Sequence, residues 1–146
     1  MKTRIHLIAA VLTGLTIFTF FTSTLFVELL GSHDAIADVK RLIVYGLAVL
    51  VPAIATTGIT GFLLSRGKAG RLVQAKKRRM PIIAGNGLLV LVPCALFLDR
   101  LASAGTFDSV FFAVQGLELF AGAANLTLIS LNFRDGLRLT GRLRAR

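Results

Sequence analysis

Four stretches of the chain stay apolar for about as long as a bilayer is thick. They cover residues 5–30, 42–65, 81–98 and about 109–133. A helix needs roughly 20 apolar residues, at about 1.5 Å each, to cross a hydrocarbon core about 30 Å thick. A soluble chain of 146 residues would instead build one modest core. Regular apolar–polar alternation is missing from the four runs, so a membrane β-barrel is not expected. The expected fold is all-α: one domain, an antiparallel four-helix transmembrane bundle, with loops too short for further domains.

Charge orients the bundle. The net charge is +10, yet only 16% of residues are charged and 55% are hydrophobic. That balance excludes a disordered chain, which needs low hydrophobicity. It also makes nucleic acid a poor partner, because no aromatic residues interleave the basic ones and no soluble fold holds a groove. The N-terminus carries Lys2 and Arg4, the 66–79 stretch seven basic residues, and the tail after Phe133 five arginines. Alternating spans place these 14 of the 17 on one face, against Lys40, Arg41 and Arg100 on the other. The positive-inside rule makes the first face cytoplasmic, with both termini inside a bacterial-type inner membrane. Lys2 and Arg4, an apolar run and Ala35-Ile36-Ala37 imitate a cleavable signal peptide. The run exceeds the usual length of about 7–15 residues, so the first span is expected to stay attached. The lone Cys94 permits neither an intrachain disulfide nor a cysteine-based zinc site.

Inside the spans, polar residues fall into stripes. Gln115, Glu118, Gly122, Asn125, Ile129 and Asn132 alternate steps of three and four, which is one helix face. Polar groups are costly against lipid, so this face is expected to point inward. His6, Ala9, Thr13, Thr16, Phe20, Ser23 and Val27 form a similar stripe on the first span. The second span offers Gly46, Ala53, Thr57, Gly58 and Gly61 for close packing, and the third Gly85, Asn86 and Gly87. Helix packing is the ordinary explanation of all four sets.

Glu118 stands apart. It lies nine residues past Ser109, about 13 Å below the outer boundary. With Lys40 assigned to the polar 31–41 turn, no basic residue shares its depth. An unpaired carboxylate there is expensive, so a neutral carboxyl bonded to Gln115, Ser23 or Thr57 is expected, with Asn125 further along the stripe. Glu28 lies at the outer end of the first span, where it can reach water; a structural role suits it. His6 and His33 are the residues that could ligate haem b. They stand about 40 Å apart if helical, too far to clamp one haem within a chain, and no cofactor is required. Lys76, Lys77, Arg78 and Arg79 are candidates for docking anionic headgroups or a partner. No metal set, Walker loop or catalytic constellation occurs in the sequence.

Two functional classes follow. The first is a non-enzymatic accessory, assembly or scaffolding subunit of a membrane complex. The second is a small transporter, expected to be oligomeric, with Glu118 as its proton or cation site. In size and in its embedded glutamate the chain resembles small four-span exporters of cationic drugs. It departs from them in lacking Trp and in carrying the Glu on its fourth span. A haem- or quinone-binding protein is a third reading, which Soret absorption of purified protein tests. The topology has its own test. Cysteines placed at Arg71 and Arg142 should react only from the cytoplasmic side, and labelling from outside contradicts the assignment.

Overall fold

The computed structural model describes residues 2–67 and 70–139, so Lys68 and the tail arginines Arg142, Arg144 and Arg146 lie outside it. Four helices account for nearly all of the described chain. They are α1 (Lys2–Leu30), α2 (His33–Ser65), α3 (Arg71–Ser103) and α4 (Ser109–Leu139). There are no strands among the described residues. Each helix is long and apolar enough to cross a membrane. The helices overrun the apolar spans because their polar flanks are helical too. The 31–41 stretch, read as a polar turn, is helical from His33 onward. Ser32 caps α2 by accepting from the Ala35 N–H, and Asp34 in the first turn suits the positive end of the helix. Likewise α3 starts at Arg71, well before residue 81. At α4, the Asp108 carboxylate accepts from the Phe111 N–H at 2.9 Å and fixes the start.

Side-chain contacts define two ends. At one, His6 on α1 meets Thr60 on α2, and Arg79 on α3 meets Asp135 on α4. At the other, His33 on α2 stacks on Phe107, and Arg41 donates to Ser103 at the end of α3. We call these the Arg71 end and the Ser32 end. In cross-section, α1 packs on α2 and α4, and α3 packs on the same two helices. Among the described residues α1 makes no close backbone approach to α3, nor α2 to α4. These two pairs are therefore the diagonals of the bundle.

The interior is narrow and the outside apolar. Buried side chains include Leu98, Phe111, Ile36, Ile83 and Ala95, while Phe26, Tyr45, Phe62, Leu89 and Phe120 are among many exposed ones. Water does not tolerate so much contiguous apolar surface on a monomer, whereas hydrocarbon requires it. The α4 stripe faces inward as expected: Gln115, Gly122, Asn125 and Asn132 are buried. The α1 stripe departs from its expected course. Buried positions there are Ala9, Thr13, Ile17 and Thr24, separated by 4, 4 and 7 residues, which averages slightly more than 3.6 per turn rather than 3.5. Steps longer than 3.6 residues wind a contact line in the opposite sense to a 3.5-residue seam. The upper face of α1 therefore carries Thr24 rather than Ser23.

Two local features adjust the packing. In α3, Gly87–Leu91 widens to a π turn, and the Val92 N–H donates to the Gly87 carbonyl. Pro93 explains it, because proline has no N–H for the carbonyl one turn back. Pro52 in α2 sits in a similar Leu-Val-Pro run without such a turn. On α2, Gly46 lies against the Phe20 ring, where a Cβ would collide. Gly46→Val should therefore lower thermal stability in detergent by about 1–3 kcal/mol through overpacking. Gly58→Ala, which meets open space, should be neutral or slightly stabilising. Equal melting temperatures for Gly46→Val and the unaltered protein would contradict this packing.

Candidate functional site

Lys40 lies seven residues into α2 and Glu118 nine residues into α4, so the two reach similar depths from the Ser32 end. Their helices are diagonal partners, yet the side chains meet across the bundle. Lys40 Nζ donates to Glu118 Oε2 at 2.6 Å. The lysine side chain is 0% exposed and the glutamate side chain 11%. This corrects the expectation of an unpaired Glu118. That expectation assigned Lys40 to a turn, whereas the Ser32 cap starts the helix early and carries Lys40 into the interior.

Gln115 belongs to the same site. Its Nε2 donates to Glu118 Oε2 at 3.3 Å, while its Oε1 is buried without a hydrogen-bond partner. Ser23 and Thr57 do not join it. Ser23 donates to Phe20 O and Thr57 to Ala53 O, each within its own helix. Thr57 also lies 17 residues below Lys40 on α2, about 25 Å along the axis. Glu28, half-buried near the end of α1, lies within the field of Lys40, Glu118 and His33. Its Oε1 is buried and has no hydrogen-bond partner.

Below the pair lies a cavity of about 60 Å³, lined by Thr24, Phe21, Leu47, Leu91, Gly122 and Glu118, among others. Apart from Glu118 and Thr24 the lining is apolar. Glu118 is the one charged residue in that lining. Beyond it, Asn86 Nδ2 donates to Asn125 Oδ1 and to the Ala121 carbonyl, both at 2.9 Å. Asn125 in turn donates to Ile83 O. These bonds tie α3 to α4 where the π turn begins.

A second ion pair occupies the Arg71 end. Arg79 Nη1 donates to Asp135 Oδ2 at 2.6 Å and makes a longer contact of 3.4 Å with Asn132 Oδ1. Asp135 is only 2% exposed. Arg79 is thereby withdrawn from the proposed docking set. Lys76 is half-buried, and Lys77 and Arg78 remain exposed. Sequence reasoning missed Asp135 because it follows Arg134 in a basic tail that topology already explained.

The histidines lie at opposite ends. His6 Nδ1 bonds with Thr60 Oγ1 at 3.0 Å, and Thr60 itself donates to Thr56 O, so His6 is the donor. His33 stacks on Phe107 with ring centroids 4.1 Å apart. Met80 at the same end accepts from Asn132 Nδ2 at 3.5 Å. Comparison with protein-family models, curated proteins and solved structures finds no match for this chain.

The pair can be tested by breaking one side at a time. Lys40→Met strands Glu118 and should cost about 3–5 kcal/mol, as removal of one partner of a buried pair does. Adding Glu118→Leu should recover most of that loss. Thermal unfolding in one detergent measures both. A double variant no better than Lys40→Met would show that the groups do not act together.

Proposed function

We propose that this is a multi-pass membrane protein that moves protons, or couples a change of state to a proton, through the Lys40–Glu118 pair. The Arg71 end and both termini face the cytoplasm of a bacterial-type inner membrane. The excess of basic residues at that end supports this orientation.

One observation carries the reading: an ammonium and a carboxylate 2.6 Å apart inside four apolar helices. Apolar groups of the same volume would often hold such a core as well, or better by about 1–4 kcal/mol. A purely architectural subunit therefore has little need of the pair. Proton relays do, because ionisable side chains inside membrane helices commonly mark ion and proton pathways. The adjoining cavity narrows the cargo. Drug-sized ligands occupy pockets of roughly 300–1,000 Å³, against about 60 Å³ beside Glu118. The size suits a proton, not an organic cation.

The chemistry needs few parts. Lys40 Nζ and Gln115 Nε2 both donate to Glu118 Oε2. A proton that reaches Glu118 neutralises it and frees the ammonium to seek another anion.

Purified protein in liposomes, under an imposed pH gradient and with a trapped pH-sensitive dye, tests this reading. The protein should dissipate the gradient faster than empty liposomes. Glu118→Gln should slow that flux by roughly a hundredfold, the low end for loss of a proton-transferring group, and Glu118→Asp should restore part of it. Flux equal to that of empty liposomes, or unchanged in Glu118→Gln, would overturn the proposal.

A further inference from the structure

Among the described residues, two side-chain oxygens in the Ser32 half of the bundle, Gln115 Oε1 and Glu28 Oε1, are buried and accept no hydrogen bond. Of the two, only Glu28 Oε1 belongs to a carboxyl. A buried carboxylate oxygen without a donor is expensive, and such an exception calls for a physical cause. Glu28 is on α1, one turn beyond Thr24, which shares the cavity lining with Glu118. The groups whose charges reach it are Lys40 and His33 on α2 and Glu118 on α4. From α3, Cys94 lies within the field of the same Lys40 and Glu118.

Counting charge here leads to a definite state. Lys40 supplies one positive charge, and Glu28 and Glu118, if both ionised, supply two negative ones. With Glu28 Oε1 buried and without a donor, a second negative charge here is costly. We propose that Glu28 and Glu118 share one proton, so that Lys40 always faces one carboxylate and one neutral carboxyl. In the observed arrangement Lys40 pairs with Glu118, and the proton resides on Glu28. When the proton passes to Glu118, the Glu28 O–H bond breaks and the Glu118 O–H bond forms. Glu28 becomes the carboxylate, and the Lys40 ammonium swings to it. No electrons move and the cluster stays neutral. Glu28 is thus the port of the site toward the Ser32 end, and Lys40 is a counter-ion that changes partner.

This inference deepens the proton-handling reading and rests on the same site, but it can be tested apart from it. The chain contains only two glutamates, Glu28 and Glu118. Labelling every glutamate side-chain carboxyl with ¹³C therefore reports on this cluster alone. In full-length protein in lipid nanodiscs near neutral pH, one of the two resonances should have the shift of a neutral carboxyl and the other that of a carboxylate. In Glu118→Gln the remaining Glu28 signal should move to the carboxylate position, because Lys40 is then free to pair with it. In Glu28→Gln the remaining Glu118 signal should stay there. Two carboxylate resonances in the unaltered protein would overturn the shared proton, and that spectrum does not depend on any variant folding. A Glu28 signal unmoved by Glu118→Gln would overturn the exchange of partners. Proton flux in liposomes together with two carboxylate resonances defeats this inference and leaves the functional reading standing. A shared proton without flux does the reverse.

Discussion

Charge buried among apolar helices has to be answered by charge from another helix, and in this chain that requirement organises the bundle. Lys40 and Glu118 lie on helices whose backbones never come close, yet their side chains meet at 2.6 Å. A bond along a diagonal constrains more than a bond between neighbours. It links α2 to α4, which make no close backbone approach among the described residues.

The second pair has a different character. Arg79 and Asp135 join neighbouring helices at the Arg71 end, and Asn132 adds a further acceptor there. Between the two pairs the only polar crossing from α3 to α4 among the described hydrogen bonds is that of Asn86 with Asn125 and Ala121 and of Asn125 with Ile83. Amide side chains satisfy one another without net charge, which suits the most apolar depth. The polar face of α4 therefore runs from Gln115 to Asp135, about 30 Å along the axis. It is charged near both ends and neutral between them.

Much of the architecture was legible in the sequence because hydropathy and periodicity are strong signals in long helices. The four apolar runs and the α4 stripe at Gln115, Asn125 and Asn132 are cases in point. What escaped was the identity of partners. Lys40 falls in a polar stretch that reads as a turn, and only the Ser32 cap with Asp34 behind it signals that the helix has already begun. A shift of that boundary by nine residues turns an interfacial lysine into a buried one. Ser23 was chosen over the Thr24 face because a 3.5-residue repeat was followed up α1, whereas the buried positions advance by slightly more than 3.6 per turn. Arg79 was hidden inside a basic run for which topology is a sufficient explanation, and its partner Asp135 inside another. Pairings between residues 56 or 78 positions apart leave no periodic trace in a single sequence.

The account stands on the Lys40–Glu118 contact, and a direct distance in a bilayer tests it best. Solid-state magnetic resonance with ¹⁵N-labelled lysine and ¹³C-carboxyl-labelled glutamate, with Lys40→Arg to assign the signal, reads that distance without relying on function or stability. A strong dipolar coupling between the Lys40 ammonium and the Glu118 carboxyl, consistent with hydrogen-bond contact, is the predicted result. An uncoupled Lys40 ammonium in exchange with water would contradict it.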